Sequence, residues 1–400
     1  MTYRLSDEET LLQGTVRNFA EKELAPLVPE AERTGVFPRA KILPRMAELG
    51  LLSIGVPPDL GGAGGTTLML CIVGEEIARV CGGFAIGVMA SVLAPPSLVK
   101  MSGGKPSAAL PLLMQGLTLP AMAFTEPGAG SDLANIRTTV TRTERGLLLN
   151  GTKTFISNGP TADVYLVAAV RADFADKARE ERAKGIGVYV VLRGTPGFTV
   201  GRPLAKLGMR SSETGELHFE DVLVPRGAGG ASLGGDLPAE ASAQAGADRG
   251  FKAMMELLDF NRLYIAALSV GLAQAAFEAC VPYVKERVAF GKPIGHHQAT
   301  GFKVARMAMK LDAARALIQR ACDLYEAGEH CARQVSEAKL FATEAAVEIT
   351  GDAVQIHGGY GYIEEFPVER YFRDAKVGTI WEGTSEIQQQ IICRELGLYS

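Results

Sequence analysis

Glu382 stands between Trp381 and Gly383 in the run Trp381-Glu382-Gly383-Thr384-Ser385-Glu386-Ile387-Gln388, ahead of a helical pattern that stops at Gly397. What this carboxylate can do depends on its surroundings. In a dry place beside a large apolar ring, desolvation raises a carboxyl pKa toward neutrality, as a general base requires. At an exposed helix start the same acid is a terminal charge, favoured by unpaired N–H groups and the helix dipole. Gly383 has no side chain and lets a ligand approach the backbone. Both readings stay open on these residues alone.

Four other clusters combine glycine, hydroxyl and cationic side chains. In Ala123-Phe124-Thr125-Glu126-Pro127-Gly128-Ala129-Gly130-Ser131-Asp132, glycines and hydroxyls expose backbone N–H groups that can surround a flat polar ring or a phosphate; the same composition also makes an ordinary turn. Phe155-Ile156-Ser157-Asn158-Gly159 is the second cluster. In the third, Arg287-Val288-Ala289-Phe290-Gly291 with His297-Gln298 downstream, Arg287 either meets the dipole of its own helix or offers its fork to a pyrophosphate. The fourth is Gln355-Ile356-His357-Gly358-Gly359.

Other chemistries are excluded by what is missing. No G-x-G-x-x-G occurs, so the usual dinucleotide loop is absent, and no G-x-S-x-G elbow occurs. The five His residues lack metal-ligand spacing, and no metal is expected. The six cysteines are scattered without paired spacing, which fits a reducing compartment. A net charge of -4 argues against nucleic acid as a partner. The polar, acidic Met1–Glu9 is unlike a signal or transit peptide, and no run is read as reaching the ~18 apolar residues of a membrane span. A soluble, cytoplasmic protein is expected.

The elements that must position these residues fall into three blocks. Ser6 with Glu9 is a capping box opening a helix whose buried stripe is Leu12, Val16 and Phe19, and Pro26 is expected to end it. Helical stretches follow at 38–49, 66–80 and 84–100, with breaks at Pro57-Pro58 and Pro95-Pro96; Gly61-Gly62-Ala63-Gly64-Gly65 reads as a turn. From about 120 the pattern turns to strands: Gly146–Ile156 with a hairpin signal at Asn150-Gly151, then Val164–Val170, Ile186–Leu192, Phe198–Val200 and Glu216–Val224. No helices of 10–15 residues separate these strands, which argues against a doubly wound sheet. Residues 226–250 read as a mobile connection. Phe251–Gln274, Ala275–Arg287, Phe302–Tyr325 and Arg333–Gln355 are long helix candidates. The expected fold class is α+β, with a helical domain over 1–120, a β-barrel over 121–232 and a four-helix bundle over 245–400.

In order and composition, these clusters closely resemble the acyl-CoA dehydrogenase family of flavoproteins. The matching pieces are Thr125–Asp132, Lys206–Thr214, Phe219–Pro225, Glu286–Lys292, Gln355–Gly361 and Glu382–Gln388, spread in order over nearly the whole chain. The resemblance implies the same three-part architecture, FAD as cofactor and an acyl-CoA substrate. It implies Glu382 as the base that removes the α-proton, with a β-hydride passing to flavin N5 to leave a trans-2-enoyl-CoA. The Glu382 N–H, with a flavin ribityl hydroxyl, would hold the thioester oxygen.

Carried over by position, Met122, Phe124, Thr125, Gly130, Ser131, Phe155, Ile156 and Ser157 would enclose the isoalloxazine. Arg287, Phe290, Gln298, Gln355, Ile356, His357, Gly358 and Gly359 would reach the adenine end of the FAD of a neighbouring subunit, which implies a homotetramer. Thr384, Ser385 and Glu386 match further FAD contacts, and Ser131, Asp259, Arg262, Gly383 and Arg394 match substrate or CoA contacts. An electron-transferring flavoprotein is the implied acceptor, and fatty acid or amino acid catabolism the implied setting.

The chain departs from the family pattern at Trp381, where many members have Tyr, and at Phe155, where many have Trp; both keep an aromatic wall. Some members place the base one position before Arg262, which here is Asn261. The stretch Phe84–Val99 has no Lys or Arg, which favours an uncharged acyl group. A flavin-dependent oxidase or monooxygenase on the same fold, and a non-catalytic helical scaffold, are the competing readings.

Overall fold

The computed structural model describes residues 4–101, 104–105, 109–225 and 247–398. The capping box forms as expected, with the Ser6 N–H donating to the Glu9 carboxylate at 2.8 Å and the Glu9 N–H to Ser6 Oγ at 3.2 Å. It opens helix α1 (Asp7–Phe19). Pro26 does not end the helical path. A π turn (Ala20–Leu24) and a 3₁₀ turn (Ala25–Leu27) carry the chain into α2 (Val28–Thr34), which closes at Gly35 with φ +71°. Pro26 falls in the first positions of the new turn, where its missing N–H had no partner to lose.

Helices α3 (Arg39–Glu48), α4 (Thr67–Val80) and α5 (Gly82–Met101) follow the expected periodicity, and α6 spans Ala109–Met114. Pro95-Pro96 lies inside α5 and does not break it. Pro96 packs on Gly55, where an added Cβ would sit 3.0 Å from the proline Cβ, so tertiary packing overrides the local signal.

The middle block is one curled seven-stranded sheet of β1 (Pro120–Ala123), β2 (Thr139–Thr143), β3 (Gly146–Ser157), β4 (Val164–Arg171), β5 (Ile186–Leu192), β6 (Phe198–Val200) and β7 (Thr214–Pro225). Its order is β1-β4-β2-β3-β7-β6, with β5 also paired to β4. β1 and β2 run parallel to β4 and the other ladders are antiparallel. The hairpin turn is at Glu144-Arg145, because Thr143 pairs with Gly146. Asn150-Gly151 lies within β3, at a register shift against β7. The Asn150 amide exchanges hydrogen bonds with Asp221 (3.0 and 2.8 Å), and a Cβ on Gly151 would meet Thr138 Oγ1 at 2.5 Å. That asparagine-glycine pair serves a bulge, not a turn.

Of the connection read at 226–250, residues 226–246 lie outside the described residues, and 247–250 already belong to a helix. The two candidates after it are one helix, α8 (Ala247–Glu286), following the short α7 (Arg179–Lys184). A two-stranded ribbon of β8 (Val288–Ala289) and β9 (Lys292–Pro293) leads to α9 (Gln298–Glu326), α10 (Ala332–His357), α11 (Val368–Ala375) and α12 (Ser385–Glu395). α8 packs against α4, α9 and α10, so it runs through the centre of the helical core. A Cβ on Gly271 would lie 2.1 Å from the Glu75 carbonyl, which fixes how closely α8 and α4 cross.

Two helices, over Gly82–Lys100 and Met254–Glu286, are long and apolar enough to span a membrane, contrary to the expectation. Most of each window is buried against other elements of the chain, which accounts for its apolar character. All six cysteines are free thiols.

At the junction of the three blocks, Asp374 on α11 is fully buried and accepts from the Met209 N–H at 2.5 Å. Its Oδ2 has no hydrogen-bond partner among the described residues. Burial pushes its pKa up to about 7, Glu32 adds to the rise, and the Met209 N–H, Arg370 and Arg373 oppose it. A carboxyl whose folded pKa is raised contributes stability below its unfolded pKa of about 3.9 and loses it as pH climbs through the folded value. Asp374→Asn keeps an acceptor for Met209 and removes the titration. The Tm of the variant relative to the parent is therefore expected to improve from about pH 5 to about pH 8. A difference that stays flat with pH would contradict this.

Candidate active site

Four elements converge on the segment that precedes α12. Thr384 caps that helix, its Oγ1 accepting from the Ile387 N–H at 3.3 Å. Just before it the backbone is left-handed twice, at Glu382 (φ 50°) and Gly383 (φ 90°). The glycine is required, since an added Cβ would stand 2.6 Å from Gln388 Nε2. For Glu382 the conformation costs about 1–3 kcal/mol, which neighbouring contacts must offset.

Those contacts are with consecutive carbonyls. Arg262 Nε on α8 donates to the Glu382 carbonyl at 3.1 Å. Gln388 Nε2 on α12 donates to the Glu382 and Gly383 carbonyls at 3.2 and 3.0 Å, and Lys339 Nζ on α10 to Gly383 at 2.6 Å. Asp259 in turn binds Arg262 Nη1 at 2.5 Å.

The Glu382 side chain is partly buried in this arrangement, and its Oε2 is shielded, with no hydrogen-bond partner among the described residues. Burial pushes its pKa up, while Arg262, the Asn261 amide and Lys339 pull it down. Desolvation wins. Of the two sequence readings, the exposed helix-terminus acid is therefore excluded; it describes Glu386, which is exposed and held low by its own backbone N–H and the Thr384 hydroxyl. Trp381 Nε1, Ser385 Oγ, Gln388 Oε1 and Asn261 Oδ1 are further buried polar atoms here without partners among the described residues.

The Asn261 amide reaches Met122 Sδ on β1 at 3.5 Å and so joins this cluster to the sheet. Beyond β1, the Thr125 loop rests on a buried ion pair. Lys153 Nζ donates to the Phe124 carbonyl (3.0 Å) and to Glu126 (2.7 Å), and Glu126 also accepts the N–H groups of Arg137 (2.6 Å) and Thr138 (2.9 Å). Burial lowers the Lys153 pKa to about 8; burial raises Glu126, but Lys153 and the other donors bring it below the usual range.

The Thr154 N–H donates to the Thr125 carbonyl at 3.0 Å and ties the loop to β3. Phe155 then turns outward, 67% exposed with φ 58°, between buried Thr154 and Ile156. A large aromatic held exposed in a left-handed conformation is strained, as residues at ligand sites often are. Ser157 ends the strand opposite Thr214. Gly128 and Gly130 have open space where a Cβ would stand, and Ser131 is exposed.

Arg287 and Ile356–Gly359 form a separate group, Gln298 opens α9 and Gln355 lies in the last turn of α10. Along α8, the 25 residues from Arg262 to Arg287 amount to about 38 Å. Arg287, Ile356, His357, Gly358 and Gly359 line a cavity of about 470 Å³ with Tyr283 and Tyr360. The His357 ring is buried, stacked on Tyr283 at 4.1 Å, and donates from Nδ1 to the Ala353 carbonyl at 2.8 Å, while its own carbonyl accepts from the Tyr283 hydroxyl at 3.2 Å; the adjoining glycines are what this segment offers a ligand. Phe290 is 95% exposed at the tip of the β8–β9 turn, with φ 52°. Arg394 is exposed in the last turn of α12. A larger cavity, about 940 Å³ between β5 and β7, is lined by none of the candidate residues.

Sequence reasoning missed Lys339, Gln388 and Lys153. Lys339 had a signal: it interrupts the stripe Val335, Ala338, Ala342, Ala346 and Ile349, where a lysine on an apolar helix face needs a buried partner.

Profiles of the acyl-CoA dehydrogenase N-terminal, middle and C-terminal domains match residues 6–103, 121–222 and 248–397. An acyl-CoA dehydrogenase of Bacillus subtilis is 40% identical over 394 residues, covering 98% of each chain. The caffeyl-CoA reductase-Etf complex subunit CarC of Acetobacterium woodii is 36% identical over 390 residues, covering 97% of each. The structure of butyryl-CoA dehydrogenase from Megasphaera elsdenii superposes with a TM-score of 0.88 at 35% identity, covering 99% of this chain and 100% of that one.

The chain belongs to the acyl-CoA dehydrogenase family, FAD-dependent oxidoreductases that act on CH–CH bonds. The residues here fit a bound flavin: an outward aromatic, a glycine loop with free space, and a cluster of polar atoms left without partners.

Proposed function

We propose that this chain is a cytoplasmic acyl-CoA dehydrogenase with Glu382 as its base, acting on an uncharged acyl group. The observation that carries the reading is the buried Oε2 of Glu382, without a partner among the described residues, within a backbone fixed by Arg262, Lys339 and Gln388. Bound FAD supplies the hydride acceptor. The Thr125 loop and Phe155–Ser157 would hold it, and Thr384–Glu386 would add contacts at the helix start. Among the described residues no backbone carbonyl takes the Glu382 N–H, which leaves it to hold the thioester oxygen. Negative charge stabilised there acidifies the α-carbon, and Glu382 Oε2 accepts the proton. Asp259 and Arg262 keep the clamp in register as CoA enters, and Ser131 and Arg394 line its path.

Support for an uncharged acyl group comes from α5, which packs against α8 and β1 and carries no charged side chain from Gly82 to Val99. Lys100, at its end, is engaged by the Tyr325 hydroxyl at 3.0 Å. The adenine-end group around Arg287 lies too far along α8 to serve the same cofactor region as Glu382, which supports the homotetramer in which it reaches a neighbour's FAD. Electron-transferring flavoprotein is the proposed acceptor, in keeping with the name of the Acetobacterium relative.

The test is anaerobic bleaching of the flavin by straight, branched and cyclic acyl-CoAs beside glutaryl-CoA. Uncharged substrates are expected to bleach it and glutaryl-CoA to leave it oxidised. Bleaching by glutaryl-CoA alone would overturn the substrate class, and no bleaching by any acyl-CoA would overturn the activity.

A further inference from the structure

Lys339 is fully buried in the middle of α10, flanked by buried Ala338, Ala342 and Thr343. A buried ammonium is costly, and a well-packed apolar residue of similar volume is often as stable or more so. Stability alone does not account for a lysine here. Its ammonium is spent on the carbonyl of Gly383, at 2.6 Å, directly after the base.

The charged groups around it come from four elements. Glu382 faces it from the segment before α12, Arg262 from α8 with Asp259 paired behind it, Glu344 from α10 itself, and Glu386 from α12. Glu382 thus lies between two cations, Lys339 and Arg262, whose donors also fix the two carbonyls that follow its side chain in the chain.

We propose that Lys339 is a positioning residue of the reaction: its ammonium holds the Gly383 carbonyl, and so the left-handed Glu382–Gly383 turn, and its charge sets the proton affinity of the Glu382 carboxylate. Burial pushes that carboxyl up, and the two cations oppose the rise. The burial that depresses the lysine's own pKa to about 8 is offset in part by Glu382.

This inference rests on the reading of Glu382 as the base, and the test keeps the two apart. Lys339→Met removes charge and donor, Lys339→Gln removes charge and keeps a donor, and Lys339→Arg keeps charge. The rate of flavin reduction by a saturating acyl-CoA is measured against pH in each holoenzyme. The rising limb is expected to move up by about one pH unit in the Met and Gln variants and to stay in place in the Arg variant. In the FAD-free protein, the infrared band of the protonated Glu382 carboxyl, identified by its loss in Glu382→Gln, is expected to persist to higher pH by the same shift. An unchanged limb and band in both neutral variants, with Glu382→Gln inactive, would overturn the role of Lys339 and leave the base in place. Full activity in Glu382→Gln would overturn the base itself. If Lys339→Met loses its fold, the Gln variant and its infrared titration decide the matter alone.

Discussion

Glu382→Gln is expected to reduce flavin reduction by acyl-CoA roughly a thousandfold or more while FAD and the CoA ester still bind. The amide keeps the size of the side chain and leaves the backbone clamp of Arg262, Gln388 and Lys339 untouched. What it removes is the carboxylate proposed to take the proton, and the neighbouring Asn261 cannot replace it. The expected pattern is a fall in kcat with the apparent affinity for substrate retained, because the lost interaction exists only on the way to the transition state. In the parent enzyme the rate should climb with pH through a group above the usual glutamate value of about 4.3, since burial has raised this carboxyl. Stopped-flow absorbance under anaerobic conditions reads both; a Gln variant reducing flavin at the parent rate would show the proton leaves by another route.

The second large effect is expected at Lys153→Met. Lys153 is completely buried and Glu126 nearly so, and the ammonium binds both the Glu126 carboxylate and the Phe124 carbonyl. Removing one partner of such a pair leaves an uncompensated carboxylate in the interior and costs about 3–5 kcal/mol. The cost should appear in chemical denaturation as a lowered midpoint. FAD retention should fall with it, because Phe124 and Thr125 begin the loop proposed to hold the isoalloxazine. Adding Glu126→Gln to Lys153→Met should recover part of the loss, since the amide carries no buried charge and its one oxygen still accepts from Arg137 or Thr138. A single variant as stable as the parent would show that water reaches the pair.

How much of this could be read from the chain depended on how far apart the interacting residues lie. The capping box of Ser6 and Glu9 is decided within three residues, and it formed as read. The strands over 164–171, 186–192 and 214–225 were legible because β-branched, apolar composition is also local. Asn150-Gly151 was misread because Asp221 and Thr138, which hold it inside β3, come from other strands. Pro26 and Pro95-Pro96 were taken as breaks because neither the π turn before the first nor the packing of Pro96 on Gly55 has a local signature.

The candidate site follows the same division. Glu382 could be singled out by its neighbours, yet whether it is a dry base or a wet helix cap is decided by Arg262, 120 residues before it, and by Lys339. The family resemblance supplied positions for the flavin loops. It did not supply Lys153 or Lys339, whose meaning lies in partners that only the fold brings to them.

The most direct measurement of the central claim is the deuterium isotope effect on single-turnover flavin reduction with an acyl-CoA labelled at the α-carbon, followed across pH. A primary effect in the parent, at a rate governed by the raised carboxyl and abolished with the reaction in Glu382→Gln, is the predicted result. An α-label without effect, or a rate indifferent to both pH and the substitution, would contradict the assignment of Glu382 as the group that takes the proton.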